Sequence, residues 1–199
     1  MMKQAQALKE NLTQGQVYRR EDLTRWSNAV DRHLKILQAE GVLTKVSAGL
    51  YYYPKQTAFG QAPAQEADLV RAFLRDDRFL LTSANAYNTL GIGLTQLYNE
   101  RIVYNHKRHG RFTLGGRVFD FRMRPHFPQM VTESFLLVDV VNNLDRLAED
   151  HHAVLERVQE RAQLMNANIV QQAAYAYGTV RTQKWFFSVL QTVDYRHAG

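Results

Sequence analysis

Residues 27–54 read Ser27-Asn28-Ala29-Val30-Asp31-Arg32-His33-Leu34-Lys35-Ile36-Leu37-Gln38-Ala39-Glu40-Gly41-Val42-Leu43-Thr44-Lys45-Val46-Ser47-Ala48-Gly49-Leu50-Tyr51-Tyr52-Tyr53-Pro54, a helical period that gives way to a strand period at a glycine. At 100° per residue, Val30, His33, Leu34 and Leu37 share one side of a helix, and Asn28, Arg32 and Lys35 lie together on the other. Ser27 or Asn28 can cap its start, and Gly41 suits a stop just past about Gln38. Val42–Val46 and Leu50–Tyr53 are then β-branched and aromatic runs around a Ser47-Ala48-Gly49 turn, which predicts a hairpin ended by Pro54.

Upstream, Ala5, Leu8 and Leu12 recur at helical spacing in a segment that closes at the Gly15 region. Glu21 and Asp22 suit the start of a short second helix that ends near Trp26. Three short helices and a hairpin over residues 1–54 are the order of a winged helix-turn-helix, whose third helix enters the major groove while the hairpin touches the flanking backbone. Asn pairs bidentately with adenine, and Arg or Lys with guanine, which makes Asn28, Arg32 and Lys35 candidate base readers. Any surface helix has a polar face with a few cations, so the triplet gains its meaning from lying on the third helix, before a basic hairpin. Lys45 and Ser47, near the hairpin tip, are candidate phosphate contacts. His33, on the apolar side, reads as a core histidine. Tyr51, Tyr52 and Tyr53 either pack the hairpin onto the helices or stack on bases.

The charge distribution points the same way. Net charge is +6; residues 1–54 carry eight Lys/Arg against five Asp/Glu, 55–130 eleven against six, and 131–199 six against eight. Such a basic excess attracts DNA, RNA, an anionic membrane surface or an acidic protein. With no cysteine there is no disulfide framework or thiolate metal site, which fits a reducing cytoplasm. No leader-like opening and no apolar run of about 20 residues is present, so the expected location is cytoplasmic, without a membrane partner.

Residues 55–65, with Gly60 and Pro63, read as a linker, and a second domain is expected over 66–199. Leu69, Val70, Phe73 and Leu74 predict a helix, Phe79-Leu80-Leu81 a strand, and Ser83 the cap of a helix reaching Leu90 before Gly91-Ile92-Gly93. Runs at 101–105, 111–114 and 117–123, separated by Gly110 and Gly115-Gly116, predict a small antiparallel sheet. Helical periodicity returns at about 132–148, 150–166, 168–177 and 180–193. The expected fold class is therefore α+β: an N-terminal winged helix-turn-helix, then a mixed domain with a small antiparallel sheet and a helical C-terminal end.

Between Arg101 and Arg124 the cations Arg101, Lys107, Arg108, Arg111, Arg117, Arg122 and Arg124 face one acid, Asp120. On hairpin geometry Lys107, Arg108 and Arg111 form an exposed basic tip. It is either a solvated loop, a second phosphate-binding surface, or a surface for RNA or an acidic protein.

At Ala29-Val30, His33-Leu34, Leu37, Glu40-Gly41-Val42-Leu43, Ala48-Gly49-Leu50-Tyr51-Tyr52 and Pro54 the chain resembles the N-terminal winged helix of the AbiEi-type antitoxins of bacterial type IV toxin–antitoxin systems. Leu81-Thr82-Ser83-Ala84-Asn85-Ala86, Leu90-Gly91 and Gly93-Leu94-Thr95-Gln96 resemble that family's next segment, and the outline covers nearly the whole chain. The resemblance implies a transcriptional regulator that binds double-stranded DNA at its own promoter. It also implies an antitoxin opposing a nucleotidyltransferase toxin, and the type IV label implies that this need not involve a stable complex.

Enzyme chemistry finds little support in the residues. The close pairs His106/His109 and His151/His152 lack the carboxylate spacing of a known metal site. Gly91-Ile92-Gly93 lacks the third glycine of a dinucleotide fingerprint, and there is no phosphate loop, G-x-S-x-G elbow or cysteine nucleophile. Asp76-Asp77 and Glu149-Asp150 are adjacent and diverge. The expectation is a regulator with no catalytic residue, metal or cofactor; the alternative is a nuclease-like enzyme, with carboxylates converging from distant segments, targeted by the winged helix.

Overall fold

The computed structural model describes residues 2–194; residues 1 and 195–199, the outer ends of the two expected domains, lie outside them. Helix α1 (Met2–Glu10) is followed by strand β1 (Val17–Arg19), the four-residue helix α2 (Arg20–Leu23), a 3-10 turn at Thr24–Trp26 and helix α3 (Val30–Ala39). Strands β2 (Thr44–Ser47) and β3 (Leu50–Tyr52) come next, and the three strands pair antiparallel in the order β1-β3-β2. The apolar period of α1 and α3 does what it predicts: Leu8, Leu12, Leu23, Val30, Leu34, Leu37, Leu43 and Tyr51 form one buried cluster.

Helix α3 ends as the sequence requires. Gly41 has φ +69°, a conformation costly for any residue with a Cβ. It lets the Gly41 amide donate to the Gln38 carbonyl (3.0 Å) and the Val42 amide to the Leu37 carbonyl (2.9 Å). This pair of bonds satisfies helix-end carbonyls that would otherwise be orphaned.

The hairpin differs in detail from expectation. Ser47 pairs with Leu50, so the turn is the two residues Ala48-Gly49, and the register shifts between Lys45 and Ser47, leaving Val46 as a bulge. Strand β1, which no periodicity announced, pairs Val17 with Tyr52 and Arg19 with Leu50.

Residues 55–65 are not an unstructured linker, because β4 (Gln56–Thr57) and β5 (Gly60–Gln61) form a small hairpin there. Nor do boundaries at 54 and 66 divide the structure. The chain forms two units, Met1–Asp77 with Gly110–Phe119, and Arg78–His109 with Asp120–Gly199. Helix α4 (Glu66–Leu74) belongs to the first unit because the Arg19 guanidinium donates to the carbonyls of Ala72 (2.6 Å) and Phe73 (3.4 Å) at its end, and Arg75 pairs with Glu21.

Strands β6 (Phe79–Thr82), β7 (Arg101–Asn105), β8 (Gly110–Leu114) and β9 (Arg117–Met123) hydrogen-bond in the order β6-β7-β9-β8. β8 and β9 join through Gly115-Gly116, both with positive φ, as a tight hairpin turn demands. The Gly115 amide donates to the carbonyl of the bulged Val46 (2.8 Å), which places this turn in the first unit.

In the second unit the segment Ala84–Leu90 is a 3-10 helix rather than an α-helix. Helices α5 (Glu133–Asn142), α6 (His151–Gln163), α7 (Ala167–Tyr177) and α8 (Val180–Asp194) complete it, with a 3-10 turn at Leu144–Arg146 cutting the first short of the expected 148. Side chains of Thr132, Asp150 and Asn166 cap the first three. Phe135 to Val140 of α5 are all buried, as befits a helix apolar on every side and surrounded by others. The protein is thus mixed α+β, with small antiparallel sheets and a helical C-terminal end. Among the described residues no helix is long and apolar enough to cross a membrane.

Candidate nucleic-acid interface

Helix α3 buries Val30, His33, Leu34 and Leu37 and turns Asp31, Arg32 and Lys35 outward. Its start is two residues later than a Ser27 cap implies and one later than an Asn28 cap implies: Ala29 is the cap, and Asn28 stands exposed in the turn before the helix, off the wheel position assigned to it. The reason is His33. The Ser27 hydroxyl is 2.7 Å from the His33 Nδ1 and 3.2 Å from the Ala29 amide, so it is committed to fixing the turn. His33 itself is 2% exposed, a core histidine.

Two further features brace this face. Arg20 on α2 donates to both carboxylate oxygens of Asp31, each at 2.6 Å, a fork that fixes α2 against the first turn of α3. That hydrogen bond holds the Asp31 carboxyl below the usual carboxylate range, so the one acid on the exposed face is matched by a cation. The Arg25 guanidinium lies 3.9 Å from the Trp26 ring centre, immediately before the turn. Arg20 and Arg25 escaped the sequence reading. A cation beside a tryptophan and an arginine eleven residues before an acid are too common to single out without the fold.

On the hairpin, Lys45 is exposed opposite Tyr51, and Ser47 is half-buried beside the turn. Tyr51 and Tyr52 are 8% and 5% exposed, which leaves their rings to packing rather than to stacking on a ligand. The first unit therefore carries Asn28, Arg32, Lys35, Lys45 and Ser47.

The basic segment 101–124 is not the patch its composition suggests. Strand β9 stands between β7 and β8, so 106–109 is a crossing connection and not a hairpin tip. Asn105, 1% exposed, shapes it: its Oδ1 accepts from the amides of Lys107 (2.8 Å) and Arg108 (2.7 Å), and its Nδ2 donates to the Arg108 carbonyl (3.0 Å). Lys107 and Arg108 are exposed on the second unit, whereas Arg111 is exposed on β8 in the first. Arg117 is tied to Glu66 (3.2 Å) and to the Ala64 carbonyl (3.1 Å).

Arg122 is buried. Its Nε donates to Asp120 (2.7 Å) and its guanidinium to Asn143 Oδ1 (2.7 Å). Asn143 in turn donates to Asp139 (2.9 Å), which also accepts from Tyr87 (2.8 Å) and Tyr104 (2.5 Å). Burial raises the Asp139 carboxyl above its ordinary range, and the hydroxyls of Tyr104 and Tyr87 offset part of the rise. Burial likewise pushes both phenols up. Nothing in the sequence announces this network beyond Asp120 and Arg122 standing two apart on one strand face.

His152 is 3.3 Å from Glu156 and His151 3.9 Å from Asp145, both at the surface. Among the described residues no three His, Cys, Asp or Glu side chains are grouped to hold a metal.

No family model and no curated protein matches the chain. The crystal structure of the RV2827C protein from Mycobacterium tuberculosis is similar over 94% of this chain and 74% of its own, with a TM-score of 0.58 at 14% identity. At that identity the likeness is one of fold.

Proposed function

We propose that the first unit is a winged helix-turn-helix that binds duplex DNA, with α3 as reader and the β2–β3 hairpin as wing. The supporting observation is the braced outward face of α3: Arg32 and Lys35 exposed, Asn28 at its start, Asp31 matched by Arg20, and an antiparallel hairpin with exposed Lys45 following directly. Residues at the N-terminal end of such a helix meet base edges while the hairpin meets phosphates. Arg25, beside Trp26, joins Lys45 and Ser47 as a backbone contact on this reading.

The protein acts in the cytoplasm as a repressor of its own promoter and, through its second unit, opposes a nucleotidyltransferase toxin without catalysis or a cofactor of its own. The antitoxin role comes from the resemblance to AbiEi-type proteins; only the helical end of that unit, residues 131–199, is net acidic and poorly suited to holding DNA.

The two roles are separable by one substitution. In cells carrying a promoter reporter and the cognate toxin, Arg32→Ala releases repression while protection against the toxin persists. Loss of protection in parallel with repression would place both tasks on one surface. A wild-type chain that neither represses nor protects would end the reading.

A further inference from the structure

The β4–β5 hairpin carries the most exposed large apolar side chain among the described residues: Phe59 at its turn is 102% exposed, with its whole ring in water. A single exposed apolar residue is ordinary. A ring held out at the tip of a braced turn is not. Gln56 pairs with Gln61 and Thr57 with Gly60. The Thr57 hydroxyl donates to the Gly60 carbonyl (2.7 Å) and accepts from the Phe59 amide (3.3 Å), and Gly60 takes φ +105°. At the base, the Ala62 amide donates to the Lys55 carbonyl (2.8 Å), and Gln61 Nε2 donates to the carbonyl of Gly41, the residue that ends α3 (3.4 Å). The hairpin thus meets the C-terminal end of the proposed reading helix and holds its ring out from a braced turn.

The surroundings indicate what the ring meets. Residues 55–61 are all exposed; apart from Phe59 and the small Ala58 and Gly60 they are Lys55, Gln56, Thr57 and Gln61, with no acid among them. Protein-docking aromatics sit within well-packed patches ringed by further contacts, and Phe59 has no apolar neighbour of size on its hairpin. An amide, Gln56, and a cation, Lys55, in the segment leading to an apolar tip match the chemistry by which proteins enter the minor groove and part a base step.

We infer that Phe59 is a wedge that inserts between base pairs of duplex DNA beside the segment read by α3. The inference depends on the DNA-binding reading above. Insertion is easiest at pyrimidine–purine steps such as TA and CA/TG, which are readily unstacked and contain a thymine. Permanganate, which attacks unstacked thymines, therefore reports it.

The probe is the duplex upstream of the protein's own reading frame, with the full chain bound. Wild-type protein makes thymine at one step hyper-reactive. Phe59→Ala abolishes that reactivity and weakens binding by about 5- to 150-fold, the range of one lost ring–base stack, whereas Phe59→Trp retains both. The ring touches no core, so folding is not at issue. An unchanged affinity and permanganate pattern in Phe59→Ala overturns the wedge and leaves the DNA-binding reading standing. So does a wild-type complex with no hyper-reactive thymine. Unchanged DNA binding with lost protection against the toxin assigns the ring to a protein and overturns it too. A wild-type chain that binds no duplex removes both readings together.

Discussion

Arg32→Ala lowers affinity for the promoter duplex by about 5- to 150-fold, the equivalent of about 1–3 kcal/mol for one bidentate arginine–guanine contact, and changes affinity for random duplex far less. The selectivity of the loss matters more than its size. Arg32 is exposed on the first turn of α3, where base edges are reached, and Arg20 holds Asp31 beside it. Asn28→Ala should behave similarly, although Asn28 stands in the turn before the helix, because the N-terminal end of a reading helix is the part nearest the bases. Lys45→Ala is the contrast: a phosphate contact carries no sequence information, so all duplexes weaken alike and the salt slope falls by about 1. Competition titrations with promoter and random duplexes separate the two classes. Equal losses on both duplexes for Arg32 and Asn28 would show that α3 does not read sequence.

Asp139→Ala destabilises the protein by about 3–5 kcal/mol, the cost of removing one partner from a buried charged network. The carboxylate is 2% exposed and accepts from Tyr87, Tyr104 and Asn143, so its removal leaves the two buried phenol hydroxyls without an acceptor, while Asn143 keeps the backbone carbonyl of residue 139 (2.7 Å). Arg122, which reaches Asp139 only through charge and through Asn143, keeps its direct partners Asp120 and Asn143. Denaturant unfolding with a tryptophan signal from Trp185, in the second unit, measures the effect. The pH dependence has a definite sign. Because burial raises the folded pKa of Asp139 above its unfolded value, the folded state holds this proton more tightly. Its contribution is full below the unfolded pKa and is lost as pH rises through the folded one. Asp139→Ala removes that slope. A stability change below about 1 kcal/mol would mean that water or rearranged hydroxyls satisfy the network without the carboxylate.

The parts of the fold legible in the sequence were those set by local period and turn chemistry. Val30, His33, Leu34 and Leu37 are buried together because a 3.6-residue repeat leaves them one side to share, and Gly41 ends α3 because only glycine takes its φ cheaply. The start of α3 was less legible, since the Ser27 hydroxyl is drawn to a histidine six residues on and the cap falls to Ala29. Strand β1 was invisible: three residues show no period, and its partner lies over thirty residues away. The same non-local ordering put β9 between β7 and β8 and dissolved the expected basic tip. Arg122 was counted as surface charge because composition cannot distinguish a solvated cation from one buried on Asp120 and Asn143. Among the proposed DNA contacts, Arg32, Lys35 and Lys45 are exposed as anticipated, while Arg20, Arg25 and Phe59 take their meaning only from what the fold places beside them.

The most direct measurement is a salt titration of the purified full chain with the duplex upstream of its own reading frame. Neutralising about four phosphates releases their counterions, so log K against log[salt] should fall with a slope of about −3.6, and the promoter duplex should remain preferred over a random one at every salt concentration. A flat salt response, or binding that never distinguishes the two duplexes, would contradict the assignment of the first unit as a sequence-reading DNA-binding domain.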